Sequence, residues 1–300
     1  MSIRWITIVF LLLAGICRGQ GYLDLFSAGA TVSPGNKVEE SQGEIDVEEA
    51  KVATRLPLKL SNGKYLILSP YYSYLRLSSG PTRFNNDDAF HQYGLPIGYQ
   101  QEFADSWKVL LMGIPRLSSD LGDISQEDFL YGGLLLFTHQ KREGLAYKYG
   151  LYYGQEFFGP MIVPIFGLDW KMGERWRFFG NLPINGTLQY RAHQRFSTGL
   201  RFLANVTSFR LHEGFESIYL HKVTNDLYLF ADCYLSSKVV LRGQLGRSFF
   251  RSMRFYPKNE QLDAAVSLLR FGDRGDPLTN DFSDGNLFGI SLIYRYALED

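Results

Sequence analysis

Cysteine is nearly absent from this chain. There are two, Cys17 and Cys233, and the first lies in a segment read below as a cleaved leader, so no intrachain disulfide can form in the remainder. An excess of charge of one sign is also missing. The 31 basic and 31 acidic residues cancel, which excludes the basic surplus expected of a nucleic-acid binder. No apolar run reaches the ~18 residues a membrane-spanning helix needs, so a helical membrane protein is excluded. None of the five histidines (His91, His139, His193, His212, His221) stands in H-x-x-x-H spacing. With a single remaining cysteine, no metal site and no cofactor is expected. A G-x-S-x-G nucleophile elbow is lacking too.

What is present begins with an export signal. Arg4 supplies a positive start, Trp5 to Ile16 an apolar core, and Cys17-Arg18-Gly19-Gln20 small residues before a cut ahead of Gln20. Ile16 is too large for the position before a lipidated cysteine. The chain therefore divides into a signal peptide, 1–19, and one domain, 20–300.

That domain carries a two-residue rhythm. Leu145, Tyr147, Tyr149, Leu151, Tyr153 and Phe157 share one parity, and Ala146, Lys148, Gly150, Tyr152, Gly154 and Glu156 the other. Alternate side chains of a strand point to opposite faces. The pattern recurs. Val52, Leu56, Leu58 and Leu60 oppose Glu49, Lys51 and Arg55; Ile97, Tyr99 and Phe103 oppose Gly98, Gln100 and Glu102. Phe166, Leu168 and Trp170 oppose Asp169 and Lys171. Phe196, Leu200 and Phe202 oppose Ser197 and Arg201; Leu241 and Leu245 oppose Arg242 and Gln244; Leu292, Tyr294 and Tyr296 oppose Arg295. A dozen such segments, rich in Tyr, Phe and Gly, imply an all-β, up-and-down antiparallel β-barrel that spans a membrane, with lipid outside and a polar interior. Phe129 to Gln140 and Tyr65 to Leu77 are apolar on both faces, suited to an interior plug or a narrow lumen.

Connections alternate in length. Short turns fall at Ser61-Asn62-Gly63, Ala104-Asp105, Lys141 to Gly144, Gly173-Glu174, His193-Gln194 and Ser236-Ser237. Between them lie longer polar connections, at Ser33 to Glu44, Ser78 to Asp88, Ser118 to Asp128, Arg210 to Glu216 and Arg251 to Gly285, with the acidic run Glu39, Glu40, Glu44, Asp46, Glu48 and Glu49 expected in a solvated external loop, and two tight ones, at Phe158 to Pro160 and Pro183 to Gly186. Asn185-Gly186 is a hairpin signal. Counting both tight connections gives about 14 strands; treating the second as a bulge gives 12. In the longest loop, Leu262, Ala265, Val266 and Leu269 follow helical spacing, which predicts a short helix there.

The stretches Phe157-Phe158-Gly159-Pro160, Val163 to Trp170, Trp176-Arg177-Phe178-Phe179-Gly180 and Leu182-Pro183 resemble a family of Gram-negative outer-membrane β-barrels of unknown function found in Bacteroidota. The Gly-rich hairpin Leu227 to Ser248 fits the same pattern. Gly289, Leu292, Tyr294 and Tyr296 resemble the terminal signal that the barrel assembly machinery recognises, although the chain ends Ala297-Leu298-Glu299-Asp300. The resemblance implies an outer-membrane location and brings no catalytic residues.

Candidate functional residues follow from parity. Glu49, Lys51, Arg55, Glu102, Lys148, Glu156, Asp169, Lys171, Arg201, Asp232, Arg242 and Arg295 point inward. They either pair and fill the lumen or line a narrow water path. Inward Gly150, Gly154, Gly199 and Gly246 suggest room. Arg247, Arg251, Arg254 and Lys258 form a candidate contact for lipopolysaccharide phosphates. The loop carboxylates Asp273, Asp276, Asp281 and Asp284, with Asn280, are candidate calcium ligands without a calcium-loop spacing. The expected function is passive passage of small solutes, with a closed structural or surface-binding barrel as the alternative. A lipid-modifying enzyme using His91, at the lipid-facing rim, is the remaining rival; the expectation is that the chain is no enzyme.

Overall fold

The computed structural model describes residues 22–38, 43–78, 88–213, 216–267, 269–279 and 283–297. The leader 1–19 with Cys17, the acidic pair Glu39 and Glu40, and Asn280 and Asp281 lie outside the described residues.

Segments rich in aromatic and β-branched residues with one apolar face satisfy their backbone groups only by pairing side by side. They do so as β1 (Tyr22–Lys37), β2 (Glu44–Thr54), β3 (Leu56–Ser61), β4 (Lys64–Leu68), β5 (Tyr71–Ser78), β6 (Asp88–Gly94), β7 (Ile97–Ala104), β8 (Trp107–Gly113), β9 (Arg116–Ser119), β10 (Phe129–Leu130), β11 (Gly132–Arg142), β12 (Leu145–Glu156), β13 (Gly159–Met172), β14 (Trp176–Leu182), β15 (Asn185–His193), β16 (Phe196–Glu213), β17 (Glu216–Tyr234), β18 (Val239–Pro257), β19 (Ala264–Val266), β20 (Leu269–Phe271) and β21 (Asn286–Ala297). Five staves of the wall are two strands end to end: β2–β3, β4–β5, β6–β7, β8–β9 and β10–β11. With β19 and β20 left in their loop, fourteen antiparallel staves remain among the described residues, and β21 pairs with β1 from Tyr22↔Ala297 to Val32↔Phe288 to close the ring. The hairpin at Pro183 is therefore a true connection, and the count of twelve is excluded. Its turn is Pro183-Ile184, with Asn185 and Gly186 already in β15.

The outer surface is apolar: Leu58, Ile97, Leu111, Tyr149, Leu151, Phe166, Leu245 and Ile290 are all exposed. Phe103, Trp170, Trp176 and Phe196 are exposed beside the short turns, as an aromatic girdle requires.

Three of the five interruptions share one cause. Pro70, Pro96 and Pro115 have no N–H to give the ladder. Their carbonyls still accept, from Thr54 at 2.9 Å, Ser69 at 2.9 Å and Leu95 at 3.0 Å. With a bulge at Leu25 and the exchange between Ile114 and Gly132, these breaks form an oblique seam from β1 to β11.

Length organises the other half. A tilted membrane strand needs about 9–11 residues. β16, β17 and β18 have 18, 19 and 19 residues, and β14 has seven. β13 therefore pairs with β14 only from Phe166 to Met172, and β16 with β15 only as far as Leu203. Above that hairpin the wall has a notch. Its upper border is β19, which adds in parallel to the free edge of β13 at Met161 and Ile162. This corrects the expected helix: Leu262 and Ala265 are buried against Phe158, Met161 and Tyr219 as part of an extended segment. A free strand edge offers more backbone hydrogen bonds than a solitary helical turn would.

At the loop end β9 meets β16 directly, at Ser119↔Arg210, and the ring narrows. Inside this narrowed part, Ile45, Val47, Leu75, Leu77, Phe90, Phe209, Leu211, Ile218, Leu220, Met253 and Phe255 form one packed apolar layer, each 6% exposed or less. Leu75 and Leu77 come from the stretch that is apolar on both faces, and here they build the interior plug.

Candidate functional site

Beneath that apolar roof lies a cavity of about 800 Å³. Its wall includes Phe209 and Leu75 of the roof, and Met161, Val163, Ile184 and Val206 at the borders of the notch. The cavity therefore reaches the gap above the short hairpin.

Toward the turn end the interior is filled by charge pairs. Arg242 donates to both oxygens of Asp232, at 2.6 and 2.9 Å. Arg295 donates to Asp232 at 3.2 Å, to Asp24 at 2.7 Å and to the Tyr234 hydroxyl at 2.8 Å, with its guanidinium 3.8 Å from the Tyr22 ring centre. Arg177 forks onto Asp169 at 2.9 and 2.7 Å. Beside the notch, Arg116 bonds Glu156, which also accepts from the Ser208 amide at 3.1 Å and hydroxyl at 2.8 Å. Lys222 reaches Glu49 at 2.5 Å.

These contacts place the twelve expected lumen residues. Glu49, Lys51, Arg201 and Arg242 line the cavity. Glu156, Asp169, Asp232 and Arg295 are buried inside in pairs, and Lys148 is also buried. Glu102 sits near the turn end, bonded to Lys108 at 2.7 Å, and Lys171 lies against Gly144 there. Arg55 is exposed at the seam. Parity alone would also have pointed to Asp24, Arg116, Arg177 and Lys222, which the sequence reading left out.

The expected role of three of the four inward glycines is corrected. A Cβ at Gly150, Gly199 or Gly246 would lie 2.4, 2.0 and 2.3 Å from a backbone oxygen of the neighbouring strand. These glycines allow close strand approach rather than clearing the lumen.

The four candidate lipopolysaccharide cations do not form one cluster. Arg251 is buried and donates to Ser33 at 3.2 Å and Asn36 at 2.8 Å, which removes it from any outer surface. Arg254 is half-buried and Arg247 is exposed near Asn286. Lys258 bonds Glu127 at 2.6 Å and holds that exposed carboxyl below the usual carboxylate range. Of the candidate calcium ligands, Asp284 accepts the Arg251 amide at 2.9 Å.

His91, the enzyme rival's residue, shares a 2.9 Å hydrogen bond with the Tyr72 hydroxyl. Its cross-strand neighbour Ser119 turns its hydroxyl to Asp120 and the Leu121 amide.

Three solved structures illustrate what the fold is similar to. An outer membrane channel from Pseudomonas putida F1 shares 8% identity over 94% of this chain and 98% of its own, with a TM-score of 0.44. The NanC porin shares 9% over 90% and 98%, with a TM-score of 0.38. The toluene transporter TodX of Pseudomonas putida shares 10% over 94% and 90%, with a TM-score of 0.39. No curated protein matches the sequence. Residues 34–262, from the end of β1 to the loop after β18, match a family model described as "Domain of unknown function (DUF6268)", and the chain belongs to that family.

Proposed function

We propose that this protein is an outer-membrane barrel of a Gram-negative bacterium that passes small solutes through its luminal cavity, with the notch as the outer entrance. The cavity of about 800 Å³, reaching the notch while the roof blocks the axial route, carries this reading. β14 has seven residues against the about 9–11 of a spanning strand, which supports an opening of the notch at the level of the outer leaflet. Lipid and lipopolysaccharide surround the barrel, and insertion uses the leader and the barrel assembly machinery. No catalytic role is assigned to it.

Planar bilayers test the proposal. Small, steady conductance whose ion selectivity shifts in Arg201→Glu supports it. Electrical silence in the native barrel and after deletion of residues 258–272, which carry the border of the notch, leaves the second reading, a closed structural barrel. The packed roof and the saturated pairs around Asp232 favour that second reading. Purified protein that hydrolyses phospholipid, and loses that activity in His91→Ala, would overturn the assignment of no enzymatic role.

A further inference from the structure

Eight ionisable acidic and basic side chains line the cavity: Asp24, Glu49, Lys51, Arg116, Arg201, Lys222, Asp226 and Arg242. Five are spent in pairs, Asp24 on Arg295, Glu49 and Lys222 on each other, Arg116 on Glu156, and Arg242 on Asp232. Lys51, Arg201 and Asp226 remain, and none of the three makes an ion pair with a described residue. The balance is one positive charge. Asp226 takes the Tyr228 hydroxyl at 3.3 Å on one oxygen and has the Ser248 hydroxyl beside it. Arg116 Nε and Gln244 Oε1, on the same wall, are buried without a partner. Lys51 is exposed to the lumen, its ammonium 5.0 Å from the Tyr71 ring centre, and Arg201 is half-buried, so two cations without an anionic partner stand open to an occupant that reaches the cavity.

The remaining surface narrows what that occupant is. Phe209, Leu75, Met161, Val163, Ile184 and Val206 give the cavity an apolar side along the roof and the notch. Lys51 and Arg201 enter the same space from β2 and β16.

We propose that the cavity is a binding site for a small amphipathic monoanion, its carboxylate held by Lys51 and Arg201 and its apolar part lying under the roof toward the notch. The single net positive charge selects one negative charge over two, and Asp226 rejects an anion that approaches its side. The site rests on the cavity being reachable, as proposed above, but binding does not require passage.

Octanoate is the probe, titrated calorimetrically into the full barrel in phosphatidylcholine nanodiscs, with empty discs as baseline. Octanoate should bind about tenfold or more tightly than octanamide, since a charge-assisted hydrogen bond contributes more than its neutral counterpart. Lys51→Gln and Arg201→Gln should each weaken octanoate by about tenfold while octanamide is unchanged. Arg201→Lys, which keeps the charge, should retain most of the affinity and guards against a variant that fails to fold. Equal affinity for octanoate and octanamide, tighter binding of octylamine, or octanoate affinity untouched in both Gln variants overturns the site. Octanoate binding in a barrel that is silent in bilayers keeps the site and removes the channel. Conductance without octanoate preference does the reverse.

Discussion

Asp232 is fully buried and receives hydrogen bonds from two arginines, Arg242 and Arg295. Its value lies less in net attraction than in what its loss would leave behind. Removing one partner of a buried ionic group strands the others and costs about 3–5 kcal/mol. Asp232→Ala should therefore lose that much stability in urea unfolding in micelles, followed by heat-modifiable gel mobility. A loss under about 1 kcal/mol would mean the arginines find water or new partners. Facing can be tested on one strand. Leu241 is exposed on the lipid side and Gln244 lines the cavity. Leu241→Arg should cost about 2–4 kcal/mol near the bilayer centre and depress assembly, whereas Gln244→Arg should assemble. Equal yields of the two variants would contradict the facing of β18.

Parity arguments fail where a strand slips by one residue, and β18 shows how. Phe250 adopts a φ of 52° and the register with β17 shifts between Val223 and Asn225. One inserted residue exchanges the two faces. Arg247 stays outside, but Arg251 turns inward onto Ser33 and Asn36. The bulge leaves no local signature in the sequence, so the supposed row of cations looked continuous. The loop segment was misread for a related reason. Its apolar spacing fits a helix, but the free edge of β13 decides the outcome, and that edge exists only because β14 stops at Leu182. Deleting residues 258–272 removes the border of the notch while leaving every stave intact. The deletion should still give a heat-modifiable barrel and should conduct better than the native protein; lower or equal conductance would place the entrance elsewhere.

For the whole molecule, the number of staves, the outward face and the short turns were legible because each depends on residues near one another in sequence, whereas Arg210 to Glu216, expected as a long connection, is mostly strand, with β16 running to Glu213 and β17 starting at Glu216. Tyr149 and Leu151 face lipid while Lys148 and Glu156 face inward, as the two-residue rhythm requires. The narrowing at Ser119 and Arg210, the notch and the cavity were not legible. They arise from which distant strands meet and from how far each extends, and no window of residues contains that information. The same holds for the seam. Pro70, Pro96 and Pro115 look like isolated breaks until the register aligns them across neighbouring staves.

That seam has a mechanical consequence. A paired sheet resists bending because each residue along a strand is tied to its neighbours, and stiffness falls where ties are missing. Along the proline line the missing amides coincide from stave to stave, so hydrogen-bond ties are fewest in one crease, while β16, β17 and β18 pair with one another over most of their length. Any widening of the barrel should therefore be taken up first along this crease, which begins at the Leu25 bulge in the pairing of β1 with β21.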